Sequence, residues 1–290
     1  MQTVRNRVAD ILGIDLPIVQ APMNYIAGHA LAAAVSAAGG MGVLGPNAGK
    51  VQGEEISMRE RTLREFARIR EVTDKPVGIN VVVPDGENKA ALMYARSTVE
   101  AAAEGGATAA FCVGGLQPTI FELIKEKGMK LIVRPLTPTV KNAREAQAMG
   151  ADIFVATGYD AGGFLPSHHT GTFSIVPTIV DAVTIPVLAA GGINDLRGVR
   201  AAFALGAEGV YVGTRFIATN ECAANDHAKE LICKLSGSNL LYVDETQRSL
   251  PTEFAAEAYV KHRLAPTVPT TVDLVGALRT GMYDLSLIHI

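Results

Sequence analysis

The run 158-GYDAGGFLPSHHT-170 puts two adjacent glycines just past a short apolar strand and two adjacent histidines a few residues further on. Glycines without a side chain admit close approach of a ligand or of another backbone. Histidine is the side chain that exchanges protons near neutral pH. His168 and His169 are therefore the candidate catalytic residues, as base or proton donor. Neighbouring side chains in an extended loop point apart, so at most one of the two can enter a site. The plainer reading of each is a solvated loop histidine. His29 is a remoter candidate that also reads as helix surface.

A second set of residues suits an anion. The stretches 189-AAGGI-193 and 212-VGTRF-216 offer backbone N–H groups at Gly191, Gly192 and Gly213, and Thr214 adds a hydroxyl. Simple turn chemistry would explain either stretch alone. Both together point to a phosphate site. The segment 18-IVQAPM-23 leaves its strand through Ala21, Pro22 and Met23, extended and small enough for backbone N–H groups to face a planar ring. Asn80, in 77-VGINV-81, is an amide among apolar residues that needs partners, either within the core or on a cofactor edge. Arg134, closing 131-LIVRP-135, is a cation suited to the anionic pyrimidine side of a flavin or to pairing with a carboxylate.

These residues sit at the ends of a repeated pattern. Short apolar runs at 17-PIVQ-20, 41-MGVLG-45, 76-PVGINV-81, 108-TAAFCV-113, 130-KLIVRP-135, 152-DIFVA-156, 186-PVLAA-190 and 209-GVYVG-213 read as strands. Helical spacing occupies the stretches between them, near 27–38, 58–72, 91–104, 117–127, 139–149, 173–183 and 195–205. Four joints, at Gly106, Gly128, Gly150 and Gly206, place glycine just past a helix end and then begin a strand. Eight strands joined by helical crossovers predict an α/β chain folded as a (β/α)8 barrel, with the doubly wound sheet as the alternative. In such a barrel, ligands bind at the C-terminal strand ends and phosphate binds after strands seven and eight. The candidate residues fall there. Beyond residue 220 the pattern stops, and 222–235, 253–263 and 270–281 read as extra helices. The expected division is a barrel over 1–220, a C-terminal helical extension over 221–284, and a non-native or disordered tail over 285–290.

Two other motifs mislead. The match 40-GMGVLG-45 to G-x-G-x-x-G follows a helix and precedes Pro46, whereas the dinucleotide fingerprint needs a strand before it and a helix after it. The stretch 45-GPNAGKV-51 is one residue short of a phosphate loop, and Val51 stands where a Ser or Thr is required.

Taken in order and spacing, PIVQAPM, GGMGVLG, KPVGINV, ATGYDAGG, IPVLAAGGI and GVYVGTRF resemble the FMN-dependent family of nitronate monooxygenases (2-nitropropane dioxygenases) and enoyl-acyl-carrier-protein reductase II, over about residues 5–220. The resemblance implies a TIM barrel with FMN at its mouth. It implies that the flavin ring lies against Ala21, Pro22 and Met23, that Asn80, Thr157, Gly162 and Gly163 also contact the cofactor, and that Gly191, Gly192, Gly213 and Thr214 hold its phosphate. The family pattern around the double glycine is close to A-x-G-x-E-A-G-G-H. Here Phe164 stands where relatives carry the histidine assigned as base or proton donor, and Thr157 replaces a longer polar residue.

Two reactions are implied for an FMN-dependent oxidoreductase of this kind. One is oxidation of alkyl nitronates by O2. The other is reduction of an activated C=C bond or a quinone with NAD(P)H as co-substrate, as in an enoyl-acyl-carrier-protein reductase. The first leads, because a nitronate arrives already deprotonated and needs a base less. Phe164 motivates an alternative of another class, a flavin-binding barrel without catalysis. The same two phosphate loops would also serve a flavin-free barrel acting on a phosphorylated sugar.

Composition narrows the partners. A net charge of −3 over 290 residues, without a long basic run, lacks the footprint of a nucleic-acid binder. The apolar 31-LAAAVSAAGGMGVLG-45 is too short and glycine-rich for a membrane span. Cys112, Cys222 and Cys233 show no metal-ligand spacing and read as buried thiols of a reducing compartment. The N-terminus shows no signal-peptide core. The expectation is a cytoplasmic protein with a small-molecule substrate, bound neither to nucleic acid nor to a membrane, with a homodimer as its candidate assembly.

Overall fold

The protein is described here from a computed structural model, over residues 6–264 apart from residue 52. Its strands are β1 (Ile18–Gln20), β2 (Gly42–Leu44), β3 (Val77–Val83), β4 (Ala109–Gly114), β5 (Lys130–Arg134), β6 (Ile153–Thr157), β7 (Gly163–Phe164), β8 (Val187–Ala190), β9 (Gly209–Val212), β10 (Leu241–Asp244) and β11 (Gln247–Ser249). Eight of them form one parallel sheet in the order β1-β9-β8-β6-β5-β4-β3-β2. A parallel bridge between Val19 and Met41 joins its two ends and closes the barrel. The (β/α)8 fold is as expected, and each of the eight barrel strands lies within two residues of its predicted span.

The helices are α1 (Arg7–Leu12), α2 (His29–Ala37), α3 (Met58–Arg70), α4 (Lys89–Glu104), α5 (Pro118–Glu126), α6 (Val140–Ala148), α7 (Thr172–Val180), α8 (Leu196–Ala204), α9 (Thr214–Ile217), α10 (Asp226–Lys234) and α11 (Glu253–Leu264). Their starts follow side-chain chemistry. Ser57 and Glu60 cap α3 reciprocally, and Asp195 accepts from the N–H groups of Arg197 and Gly198 at the start of α8. The four helix–glycine–strand joints each hold glycine at positive φ.

Two cores result. Inside the barrel, Val19, Met41, Phe111, Ile132, Val155 and Leu188 pack together, and α1 adds Val8 and Leu12. This short helix was not anticipated. Outside, alternate strand residues such as Val81, Leu131 and Phe154 pack against the helices. Fully burying each such side chain contributes about 1.5–3 kcal/mol. The accidental G-x-G-x-x-G match has a packing explanation. A Cβ on Gly42 would stand 1.9 Å from the Ala32 carbonyl oxygen of α2, and one on Gly45 would stand 2.1 Å from that of Met23.

The region after residue 220 differs from expectation. Between α10 and α11 lies a hairpin, β10–β11, whose second strand pairs antiparallel with β7 in the loop after β6. The extension is thus part helix and part sheet, and it reaches back to the barrel loops. The predicted helix over 270–281 and the tail at 285–290 lie outside the described residues. Cys112 and Cys222 are buried, whereas Cys233 is exposed on α10, contrary to the expectation for all three. Among the described residues, no helix is long and apolar enough to cross a membrane.

Candidate active site

The ends of the barrel strands and the C-terminal extension enclose a cavity of about 1160 Å³. Its barrel side is built from the predicted residues. Ala21, Pro22 and Met23 line it at the exit of β1, Asn80 on β3, Arg134 on β5 and Thr157 on β6. Gly162, Gly191, Gly192, Gly213 and Thr214 line it from the loops after β6, β8 and β9. Gly163 does not. It pairs with Arg248 in the β7–β11 ladder, which turns its backbone to the hairpin instead.

Several polar groups on the barrel side lack protein partners among the described residues. The Thr157 hydroxyl is buried and makes no hydrogen bond. Asn80 Nδ2 donates to the Phe111 carbonyl at 3.0 Å, which satisfies one end of the amide and leaves Oδ1 without a side-chain bond among the described residues. The Arg134 side chain has neither a hydrogen bond nor an ion pair among the described residues. Burial pushes its guanidinium below the usual arginine range, partly opposed by Tyr211, and pushes the Tyr211 phenol up. An arginine stays protonated all the same. Of the two alternatives for Arg134, pairing with a carboxylate is not what the structure holds.

The loop after β6 is fastened at several points. The Asp160 carboxylate accepts from the Thr172 N–H at 2.6 Å, and the Thr172 hydroxyl donates to the Gly191 carbonyl at 2.9 Å. Gly158 lies so close to Thr172 that an added Cβ would stand 2.2 Å from its hydroxyl. The first glycine of the motif therefore serves packing, while Gly162 faces the cavity.

His168 and His169 are exposed and lie off the cavity surface. The Leu165 N–H donates to the Thr246 carbonyl at 2.7 Å, and the Ser167 N–H to the Thr137 hydroxyl at 2.9 Å. These bonds hold the segment outward. The His169 ring packs on Tyr159 with centroids 4.4 Å apart, and Tyr159 stacks on Tyr242 of the hairpin at 5.9 Å. His29 is also elsewhere, with its backbone N–H and Nδ1 against the buried Glu65 carboxylate at 2.9 and 3.0 Å. Phe164 does line the cavity, and the described lining contains no histidine.

The extension supplies residues that sequence reasoning missed. Ile232, Leu235, Leu240 and Leu250 form an apolar wall, and Arg248 donates to the Asp160 carbonyl. The turn residues at 244–246 signal a hairpin, but only its pairing with β7 shows that it faces the site. Tyr211 was also passed over, because 209-GVYVG-213 reads as an apolar strand.

The barrel, its cavity and the motif order define a class of protein, and comparison with known proteins identifies it. A sequence profile described as nitronate monooxygenase matches residues 5–286, and the chain belongs to that family. Among solved structures, FabK from Thermotoga maritima is 32% identical with a TM-score of 0.82, over 99% of this chain and 87% of that one. Nitroalkane oxidase from Streptomyces ansochromogenes is 26% identical with a TM-score of 0.76, over 98% and 90%. A (3aS,4S,5R,7aS)-5-hydroxy-7a-methyl-1-oxo-octahydro-1H-indene-4-carboxyl-CoA dehydrogenase from Rhodococcus jostii is 34% identical over 79% of this chain and 60% of its own length. The chain thus spans about three fifths of that relative.

Proposed function

We propose that this chain is an FMN-dependent oxidoreductase whose leading reaction is oxidation of alkyl nitronates by O2. The observation that carries the cofactor reading is the set of partnerless polar groups on the barrel side of the cavity. The Thr157 hydroxyl, Asn80 Oδ1 and the Arg134 guanidinium line one space without hydrogen-bond partners among the described residues. Of these the Thr157 hydroxyl is fully buried, and a buried polar group is normally paired by protein, water or ligand. Their chemistry fits the polar edge of a flavin, with donors and an acceptor on one side and the apolar Ala21, Pro22 and Met23 on another. Gly191, Gly192, Gly213 and Thr214 would hold the phosphate through backbone N–H groups and a hydroxyl. Gly162 would meet the ring.

When bound, FMN supplies a centre that accepts a hydride or electrons from the substrate. The chain's own residues bind, orient and exclude water. Phe164 and the wall of Ile232, Leu235, Leu240 and Leu250 present apolar surface, which strengthens electrostatic interactions within the cavity. Phe164 neither takes nor gives a proton. A substrate that arrives deprotonated, such as a nitronate, suits this lining, and that supports the leading reaction over one that begins with proton abstraction.

A second reading is favoured by the room available. The cavity of about 1160 Å³ would hold FMN and the substrate together, whereas about 300–1,000 Å³ is common for a single small ligand. It suits a larger acyl substrate and an NAD(P)H-dependent reduction of its C=C bond. Oxygen uptake with the nitronate of 2-nitropropane, set against NADH and NADPH oxidation with an enoyl thioester, separates the two. Nitronate-dependent oxygen uptake is the expected result. Thioester reduction without nitronate turnover would replace the first reading by the second.

A further inference from the structure

Tyr211 lies on β9 between Val19 of β1 and Ala190 of β8. Its ring is packed in the barrel interior, with its centroid 6.1 Å from that of Phe111. The residue is only 7% exposed, and what remains exposed lines the cavity floor. Its hydroxyl has no protein hydrogen bond among the described residues. A phenylalanine would fill the same interior space, so the hydroxyl answers to something the cavity receives. Arg134 lines the same cavity. Burial keeps the phenol protonated, and a guanidinium has donors only. Together they offer N–H and O–H groups to an acceptor.

We propose that Tyr211, which shares the cavity lining with Arg134, donates a hydrogen bond that stabilises the negative charge FMN gains on reduction. This rests on the FMN reading above. Two electrons and one proton, delivered together as the hydride of NAD(P)H, which leaves as NAD(P)+, would add one negative charge to the ring system, and each electron taken without a proton from a nitronate, which is itself oxidised, would likewise add one. Donors fixed where charge develops favour the charged state over the neutral one. Tyr211 thereby tunes the cofactor rather than merely filling the barrel.

The test compares wild type with Tyr211→Phe in three measurements: FMN binding, the two-electron midpoint potential at saturating FMN, and the melting temperature of cofactor-free protein. Wild type should bind FMN. The variant should bind oxidised FMN nearly as well but favour the reduced form about tenfold less, a fall of about 30 mV for a two-electron couple. Its cofactor-free melting temperature should not fall, because the hydroxyl has no hydrogen-bond partner among the described residues to lose. An unchanged midpoint in a variant that binds FMN would overturn the role of Tyr211 and leave the cofactor reading standing. A lowered cofactor-free melting temperature with an unchanged midpoint would show the hydroxyl to be structural, which also overturns it. Wild type that refuses FMN would overturn the cofactor reading, and this inference with it.

Discussion

Replacing Gly191 and Gly213 by alanine, one at a time, should separate two tasks that glycine performs at the strand ends. Gly191 has φ of 103°. An added Cβ would stand 2.9 Å from Thr172 Oγ1, 3.0 Å from the Ala161 N and 3.0 Å from the Gly158 O. Two of these neighbours are backbone, and the third is a hydroxyl already donating to the Gly191 carbonyl at 2.9 Å. None swings away freely. The backbone conformation costs an alanine about 1–3 kcal/mol, and forcing atoms into filled space adds about 1–3 kcal/mol. Gly191→Ala should therefore lose about 2–6 kcal/mol without cofactor, or roughly 5–20 °C in melting temperature. Gly213 differs. Its φ is −106°, and an added Cβ would meet only Ala21 Cβ at 3.7 Å and Met23 Sδ at 3.9 Å, ordinary contacts. Gly213→Ala should change cofactor-free stability by less than about 1 kcal/mol. Its methyl would nonetheless occupy space at the cavity edge, so FMN affinity should fall about tenfold or more, the loss of one hydrogen bond to a charged group. Urea unfolding of cofactor-free protein and a fluorescence titration with FMN measure both effects. Equal stability of the two variants, or unaltered FMN affinity in Gly213→Ala, would refute the reasoning.

Three further outcomes are expected. His168→Ala and His169→Ala should each keep turnover within about twofold, far from the 10²-fold or more expected on losing a general acid or base; a loss of that size in either variant would return the histidines to the mechanism. Phe164→His places an imidazole on the cavity wall and should add a pH-dependent limb near 6.5 to the activity profile; a profile identical to wild type would show that this position does not reach the substrate. Asp195 is held down to about 2, chiefly by its hydrogen bond from Arg197. A lowered folded-state value means the contribution to stability is full above the ordinary 3.8 and disappears as pH falls towards 2. Asp195→Asn keeps a cap without the charge, so it should lose less stability than wild type across that acid window in melting experiments. Equal acid sensitivity would contradict the assignment.

The barrel was legible because its signals are local. Gly106, Gly128, Gly150 and Gly206 punctuate the helix-to-strand joints, and runs such as 130-KLIVRP-135 pattern as strands wherever they end up. The barrel side of the cavity was legible for the same reason, since a strand's end fixes which residues reach the mouth. The C-terminal wall was not. β7 has two residues and exists through its pairing with Gln247 and Arg248, more than 80 positions away, which no local pattern encodes. The position of the histidines outside the cavity lining was not legible, because Tyr159 and the bonds to Thr137 and Thr246 decide where the loop points. Tyr211 was hidden by its neighbours. Among Val210 and Val212 it reads as strand core, and it becomes chemically informative through its place in the cavity lining and its hydroxyl's lack of a partner among the described residues.

The central claim is that this cavity holds FMN, and it is tested most directly by the flavin content of the purified protein. The protein should be yellow or take up added FMN with a shifted absorption spectrum, and on denaturation it should release close to one FMN per chain and no FAD. Colourless protein that leaves the spectrum of added FMN unchanged, or release of FAD in its place, would contradict the account.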